Sequence, residues 1–270
     1  MQRRTLTAAL CGAAVLAFGL TGCGEKAPEA PKAVTLTVGA TPVPHADILK
    51  FIEPTLKKEG VNLKVVEFSD YVKPNLALSD KELDANFFQH KPYLDSFVKD
   101  RNLKLESLVA VHIEPMGVYS KKFKDIKSIP EGARIAIPND PTNGGRALRV
   151  LADAGVFGLK DGVGINGTPA DIVNNTKNVK VVEMEAAVLP RTLDDVDFAV
   201  INSNFAMGGG LNPTKDSLFI ESKDSPYANI VAIRTGDDRP ALQTLKTVIT
   251  SPVVRDFILE KYKGSVVPAF

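Results

Sequence analysis

The chain has 270 residues, of which 44% are hydrophobic, so it can build a large core and is at the upper end for one domain. Its 33 basic and 32 acidic residues are interspersed, which argues against a nucleic acid partner. Both cysteines, Cys11 and Cys23, precede residue 34, where the strand-like and helical sequence patterns begin. No disulfide is therefore expected in the folded domain.

Residues 1–22 have the features of an export signal. Two arginines at positions 3 and 4 precede a mostly small and apolar run, 8–20, that is too short to span a bilayer comfortably. The ending Leu20-Thr-Gly-Cys23 resembles the lipobox of bacterial lipoproteins, which implies that Cys23 is lipidated and becomes the new N-terminus. The alternative is an ordinary cleaved signal with an incidental cysteine. Residues 23–33, rich in Pro, Ala and charge, are predicted to be a flexible tether.

Beyond the tether, strand-like runs alternate with helical periodicities. This order predicts an α/β chain with mostly parallel sheets flanked by helices. The predicted strands are 34–38, 63–68, 108–113, 134–137, 180–182, 198–201 and 230–233. The predicted helices are 46–59, 91–101, 145–154, 190–196, 240–250 and 252–262.

Ligands of such sheets bind in the loops at the carboxyl ends of the strands. The predicted loops of this kind concentrate aromatic rings, amides and one arginine, and they contain no recognisable catalytic set. An enzyme is therefore not expected. The loops are 41–45, 70–75, 86–93, 139–146 and 202–204.

The segment 139–148, Asn-Asp-Pro-Thr-Asn-Gly-Gly-Arg-Ala-Leu, is the sharpest local signal. Glycines at the start of a helix let a ligand approach free backbone N–H groups, which attract an anion. Arg146 adds a planar fork suited to a carboxylate. The segment lacks the Gly-Lys-Ser/Thr ending of a nucleotide-binding loop, so a small carboxylate fits better than ATP. The alternative is a turn capped by Thr142, with Arg146 on a solvated face.

The segment 86–93 packs three aromatic rings and an imidazole into eight residues. If this segment is extended, Phe87 and Phe88 point in opposite directions, so one enters the core while the other lines a cavity. Core packing alone is the usual explanation for such rings. The presence of Tyr71 in a neighbouring loop moderately favours a ligand site.

Two further patterns give weaker signals. The stretch 162–167 formally matches G-x-G-x-x-G, but no buried strand precedes it, so we interpret it as a loop and not a dinucleotide site. His45, His90 and His112 are the only histidines and could together bind zinc. Their spacing matches no metal motif, and ring packing or hydrogen bonding is the simpler role.

In combination, these segments resemble the NlpA lipoprotein family, the methionine-binding lipoproteins that serve methionine ABC importers. The resemblance covers nearly the whole chain after the tether. It implies a type II periplasmic binding protein with two α/β lobes, two crossing strands near 114–119 and 220–227, and a ligand in the cleft. The implied lobes are 34–115 with 224–270, and 116–223. The matching stretches are the lipobox, 40–45, 70–75, 84–94, 139–146, 189–195, 199–202 and 225–229.

The resemblance also implies roles for single residues. Arg146 is expected to hold the ligand carboxylate, and Asn202 and Asn229 its α-amino and carboxylate groups. The resemblance implies that four residues form a slot for the thioether side chain of the ligand: Tyr71, Phe88, His90 and Tyr93. Glu185 is a further candidate near the ammonium group.

The partners implied by the resemblance are L-methionine, an ABC permease and ATPase complex, and a membrane reached through the lipid on Cys23. The protein is expected to be a monomer on the extracytoplasmic face, without cofactor or metal. D-methionine, a methionine dipeptide or another apolar amino acid stay open as ligands. A metal-binding surface lipoprotein that uses the three histidines is the alternative from another class.

Overall fold

The computed structural model describes residues 33–270, so the predicted signal peptide, Cys23 and nearly all of the tether lie outside the described residues. Among residues 33–270, no helix is long and apolar enough to cross a membrane. The first part of the chain forms β1 (Val34–Ala40), α1 (Asp47–Lys58), β2 (Val61–Glu67), α2 (Lys73–Ser79), β3 (Ala85–His90), α3 (Lys91–Arg101) and β4 (Leu105–Ile113).

The middle part of the chain forms a second set of elements, and the C-terminal part returns to the first set. The middle elements are β5 (Gly117–Tyr119), β6 (Arg134–Pro138), α4 (Pro141–Asp153), β7 (Gly158–Leu159), β8 (Ile172–Val173), β9 (Lys180–Met184), β10 (Phe198–Ile201), α5 (Ser203–Gly208), α6 (Pro213–Asp216) and β11 (Phe219–Ile220). The last elements are β12 (Ala228–Arg234), α7 (Pro240–Ile249), α8 (Pro252–Tyr262) and β13 (Val267–Pro268).

These strands form two main sheets. The six-stranded sheet has the order β13-β4-β12-β3-β1-β2, and the five-stranded sheet has the order β11-β5-β10-β6-β9. The pairs of β1 with β2 and β3, and of β6 with β9 and β10, are parallel as predicted. The strands next to the two inter-sheet connections, β4, β5, β11 and β12, pair antiparallel, so both sheets are mixed. The chain passes between the sheets twice, after β4 and after β11.

Each sheet has its own apolar core. In the first core, Ile48, Ile52 and Leu56 recur every four residues along α1 and pack with Leu36 of β1. In the second core, Leu148 of α4 packs with the buried residues of β6 and β10. Residues of this kind are worth roughly 1.5–3 kcal/mol each on burial. The two cores hold the carboxyl ends of the parallel strands in fixed positions.

Three predicted elements differ from the structure. The segment 86–93 is not a loop, because β3 runs through Ala85–His90 and is buried along its whole length. Its amides look loop-like in the sequence, but they are paired in the interior, where Gln89 Nε2 donates to Asn75 Oδ1 at 2.7 Å. The predicted helix 190–196 is instead a 3-10 segment at Ala186–Asp194 with Pro190 inside it. Helix α4 begins at Pro141 and not at 145.

Candidate functional site

The two sheets enclose a central cavity of about 330 Å³. Its walls come from the carboxyl ends of β3 and β10, the first turns of α3, α4 and α5, the loop before α2, the start of β12 and the connection after β4. All lining residues are buried except Tyr71, which is partly exposed. They are Tyr71, Phe88, Gln89, His90, Tyr93, Glu114, Asn143, Arg146, Asn202, Ser203, Asn204 and Asn229.

The first two turns of α4 supply the cationic side of this cavity. Pro141 fits a first-turn position, and the Asp140 carboxylate accepts a hydrogen bond from the backbone N–H of Asn143 at 2.9 Å. The cap is therefore Asp140, and the alternative of a cap at Thr142 is wrong. Arg146 follows Asn143 by three residues, so both side chains reach the cavity from one helix face. Arg146 is 3% exposed, which excludes the solvated-face alternative.

Protein acceptors hold one edge of the Arg146 guanidinium. Nε donates to Glu221 Oε1 at 3.1 Å, and Nη2 donates to Glu221 Oε2 at 2.5 Å and to the Glu114 carbonyl at 2.8 Å. These bonds use three of the five N–H donors of a guanidinium. The two on Nη1 donate to no other residue of 33–270. Arg146 thus joins both inter-sheet connections and keeps Nη1 available for a ligand carboxylate.

Aromatic rings form another part of the cavity wall. The ring centroid of Tyr71 lies 5.9 Å from that of Phe88 and 5.8 Å from that of Tyr93. Phe88 faces the cavity, whereas Phe87 belongs to the core of the six-stranded sheet, as alternation along a strand requires. The Tyr93 hydroxyl donates to the Tyr71 carbonyl at 3.0 Å, and the Tyr71 hydroxyl donates to Asn204 Oδ1 at 2.6 Å. The wall is therefore apolar, with its hydroxyl groups already paired.

His90 lies between the ring wall and the guanidinium. Its Nδ1 accepts from the backbone N–H of Tyr93 at 3.1 Å, which caps α3, and its Nε2 lies 3.0 Å from Asn143 Oδ1. Burial, followed by the charge of Arg146, lowers the pKa of His90 to about 3. This imidazole is therefore neutral, and it positions α3 and Asn143 rather than supplying charge.

Two asparagines complete the polar side. Asn202 Nδ2 donates to Asn143 Oδ1 at 2.8 Å, and the Asn202 Oδ1 atom is buried without a hydrogen-bond partner in residues 33–270. Asn229 Oδ1 lies 3.1 Å from His45 Nε2. An unpaired buried carbonyl oxygen costs free energy until a donor reaches it. Asn202 is therefore poised to accept a hydrogen bond from a ligand.

Behind this polar side, the structure brings two histidines together with Glu114. His112 Nε2 lies 2.7 Å and His45 Nε2 lies 3.3 Å from Glu114 Oε1. All three residues are buried, and one ligating atom from each lies within 4.8 Å of the others. Burial first of all lowers the pKa of His45 to about 4 and of His112 to about 3. His90 bonds elsewhere, so the three histidines do not form one site.

A metal fits this cluster poorly. A histidine that binds a metal through Nε2 normally donates its Nδ1–H to an acceptor. The Nδ1 of His112 is buried and has no partner among residues 33–270. Binding through Nε2 would therefore leave a buried, unpaired donor, whereas the present arrangement lets Nε2–H donate to Glu114.

Comparisons with known proteins identify the family of this chain. The sequence model of the NlpA lipoprotein family matches residues 36–270. The chain belongs to the NlpA lipoprotein family. A family relative from Salmonella typhimurium, the D-methionine-binding lipoprotein MetQ, is 45% identical over 247 residues, which cover 90% of this chain and 89% of the relative.

Solved structures of relatives share the two-lobed periplasmic binding protein fold. A nutrient binding protein from Burkholderia cenocepacia, bound to methionine, has 49% sequence identity and a TM-score of 0.84, covering 87% of this chain and 100% of that chain. A periplasmic substrate-binding protein of an ABC transporter from Coxiella burnetii has 40% identity and a TM-score of 0.83, with coverages of 87% and 100%. This NlpA family chain therefore has two lobes, one built on each sheet.

Of the predicted ligand-binding residues, all but Glu185 line the central cavity. Glu185 is instead on the wall of a larger open cleft next to Asn204, the outer cleft, together with Asp70, Lys73 and Arg191. It is displaced because it precedes the 3-10 segment Ala186–Asp194, which turns away from the cavity after β9. The residues brought together are Tyr71, Phe88, His90, Tyr93, Arg146, Asn202 and Asn229.

Glu114, Glu221 and Tyr227 also contribute to this site, although no sequence pattern predicted their roles. Glu114 and Glu221 lie in irregular chain between the sheets, where no periodicity indicates which way a side chain points. The Arg146 Cζ atom lies 4.3 Å from the centre of the Tyr227 ring, which adds a cation–π contact. Their positions could have indicated a role, because all three residues lie within the two expected crossings, 114–119 and 220–227. In a two-lobed fold the crossings bring side chains to the cleft.

Proposed function

We propose that this protein captures free methionine in the central cavity and delivers it to an ABC importer. The observation that carries the proposal is that one cavity contains both Nη1 of Arg146, whose two N–H donors have no acceptor among residues 33–270, and an apolar wall of Tyr71, Phe88 and Tyr93. A carboxylate bound at Nη1 leaves a thioether side chain against the rings.

The energetics divide recognition into two parts. Charged hydrogen bonds to the carboxylate and ammonium contribute about 1.5–3 kcal/mol each, but any amino acid can make them. Burial of the methionine side chain contributes about 1.5–3 kcal/mol, and sulfur against aromatic edges adds about 0.3–1.5 kcal/mol. Selection among amino acids therefore depends on the ring wall. Relatives named for D-methionine and a relative bound to methionine support this ligand class.

We further propose that Cys23 carries the lipid and holds the monomeric protein on the extracytoplasmic face of a membrane, where closure of the lobes presents a surface to the permease. A binding role without catalysis is supported by the cavity. Ser203, its only hydroxyl apart from the tyrosines, donates its proton to the Pro115 carbonyl at 2.5 Å and so has no base to activate it.

Calorimetric titration of the delipidated protein with L-methionine tests the proposal. Purification through unfolding and refolding removes retained ligand, and native mass spectrometry verifies its absence. We expect saturable binding that Arg146→Ala largely abolishes. Arg149→Ala is the matched control, because Arg149 lies on the exposed side of the same helix. Absence of binding by the ligand-free wild type, or equal binding by both variants, would contradict the proposal.

A further inference from the structure

Three buried amide side chains lie next to the ring wall of the central cavity. They are Asn75, Asn86 and Gln89, and together they form the amide cluster. We infer that the amide cluster holds a β-bulge at Phe88 and thereby sets the shape of the ring wall, which decides which ligand side chain fits. Its members are positioning residues. This inference rests on the proposed function, because it requires a ligand whose side chain contacts the rings.

Hydrogen bonds join all three amides of the cluster. Asn75 Nδ2 donates to Gln89 Oε1 at 2.8 Å, and Gln89 Nε2 donates back to Asn75 Oδ1 at 2.7 Å. Gln89 Nε2 also donates to Asn86 Oδ1 at 3.0 Å. Asn86 Nδ2 donates to Asn75 Oδ1 at 2.9 Å and to the Pro74 carbonyl at 3.1 Å. Every polar side-chain atom of the cluster therefore has a partner in the protein, so Gln89 lines the cavity without using its amide to bind a ligand.

The cluster requires an irregular strand. In a regular strand, residues three positions apart lie on opposite faces, yet Asn86 and Gln89 are bonded to each other. The pairing of β3 with β12 explains this contact. Val231 pairs with Phe87 and Ile230 pairs with Gln89, which leaves Phe88 without a counterpart among the residues of β12. A β-bulge of this kind changes the direction of a side chain and is common next to functional sites.

The same cluster fixes the position of α2 on β3. Asn75 and Pro74 lie in the first turn of α2, and both bond to side chains of β3. Tyr71 precedes this helix by two residues, and its ring centroid lies 5.9 Å from that of Phe88. A shift of α2 along β3 would therefore move one ring of the wall relative to the other. The amide cluster controls the position of both rings, although it contains neither.

Burial of apolar groups alone does not define this arrangement. Phe87 and Phe88 are chemically identical, so a shift of β3 by one residue would put one ring in the place of the other at little cost in apolar burial. The same shift would separate Asn86 and Gln89 from Asn75 and leave buried amides unpaired, which is costly. The hydrogen bonds of the amide cluster therefore distinguish the two registers.

Calorimetric titration of the wild type with L-methionine and L-ethionine begins the test. These ligands share their carboxylate and ammonium groups, and L-ethionine has one more methylene beyond the sulfur. A closely fitted apolar pocket separates ligands that differ by one methylene by about 10- to 200-fold. We expect the wild type to prefer L-methionine by a ratio in this range. Equal affinities would overturn the inference before any variant is made.

Gln89→Met removes the amide and nearly keeps the size of the side chain. Because the bulge then loses the bonds that fix its register, the ratio of the two affinities should fall by about 10-fold. Circular dichroism verifies that the variant is folded. A folded Gln89→Met variant with the wild-type ratio would overturn the inference.

Ile52→Ala is the control for a loss of stability without a loss of position. Ile52 is buried in the apolar core of the six-stranded sheet and does not line the central cavity, so its truncation destabilises the same lobe from a distance. Thermal denaturation should show a lower Tm, while the ratio of the affinities for L-methionine and L-ethionine should stay at the wild-type value. An equal fall of the ratio in Ile52→Ala would overturn the positioning role.

A combined variant with Asn75→Leu, Asn86→Leu and Gln89→Met separates hydrogen bonding from packing. Removing all partners together leaves no unpaired amide in the cluster, which is less destabilising than removing one partner. The combined variant should therefore have a higher Tm than Gln89→Met, and it serves in its place if Gln89→Met does not fold. Its ratio should stay low, because no directional bond fixes the bulge. A wild-type ratio would overturn the inference, since apolar packing would then be sufficient.

These outcomes are separable from failure of the proposed function. If L-methionine does not bind, titration with the other apolar amino acids identifies the ligand, and the comparison is repeated with the homologue that is one methylene longer. If no amino acid binds to the wild type, both the proposed function and this inference are wrong. If amino acids bind and the ratio is the same in the wild type and in the folded variants of the amide cluster, only the inference is wrong.

Discussion

Substitutions of Tyr71 can separate two contributions to ligand binding, namely the shape of the ring wall and the closure of the lobes. Its ring lies on the wall, while its hydroxyl donates to Asn204 Oδ1 across the cleft at 2.6 Å. Burial raises the pKa of Tyr71 well above its ordinary value, so the phenol keeps its proton as a donor. Tyr71→Phe removes only the bridge. Tyr71→Leu removes the bridge and the ring together.

The expected magnitudes follow from these contacts. A neutral hydrogen bond contributes about 0.5–1.5 kcal/mol net, so Tyr71→Phe should weaken binding of every ligand by about 2- to 13-fold. Sulfur against aromatic rings contributes about 0.3–1.5 kcal/mol, so the wild type should prefer methionine over norleucine, in which a methylene replaces the sulfur, by about 2- to 13-fold. Tyr71→Leu should reduce this preference as well as the affinity.

Calorimetric titration of both variants with methionine and norleucine measures these effects. Circular dichroism verifies that the variants are folded. The preference for methionine should survive in Tyr71→Phe and decrease in Tyr71→Leu. The reasoning would be refuted if Tyr71→Phe changed the preference for methionine over norleucine but left the affinity averaged over the two ligands unchanged. The hydroxyl would then act on the ligand and not on closure of the lobes.

Two further predictions concern pH and packing. Burial raises the pKa of Glu114, a carboxyl group that lines the cavity. The affinity for methionine should therefore be constant well above that pKa and should fall as Glu114 takes up a proton at lower pH. Titrations from about pH 8 to about pH 4 measure this profile. A profile that is flat over this range would contradict it. A Cβ on Gly145 would lie 2.7 Å from Gly167 N and even closer to Ile165 O. Gly145→Ala should therefore lower the free energy of unfolding by about 1–3 kcal/mol, measured by thermal denaturation. Gly164→Ala, where a Cβ meets open space, should be close to neutral.

Most regular elements could be predicted because each buries one apolar face. The spacing of Ile48, Ile52 and Leu56 locates α1, and first-turn prolines locate α7 and α8 within a residue. Strand β3 could not be recognised, since its residues are buried through paired amides rather than through apolar alternation. The start of α4 was misjudged because the glycines at 144 and 145 conceal a helix that Asp140 and Pro141 already begin.

The sequence predicted part of the site from the residues alone, whereas the roles of Asn202 and Asn229 depended on the resemblance. The residues alone pointed to Arg146 and to the rings, because an arginine at a helix start and clustered aromatics are locally visible patterns. Glu114 escaped notice, since its carboxylate reaches the cavity only when the connection after β4 folds against β12 and α4. Glu185 was misplaced, because a sequence pattern does not show which way the chain turns after β9.

A crystal structure of the protein with L-methionine would test the central claim most directly. We predict that a carboxylate oxygen lies about 2.7–3.2 Å from Nη1 of Arg146, with the thioether sulfur against Tyr71, Phe88 and Tyr93. Methionine bound in the outer cleft, or bound in the central cavity with its sulfur next to Arg146, would contradict the account.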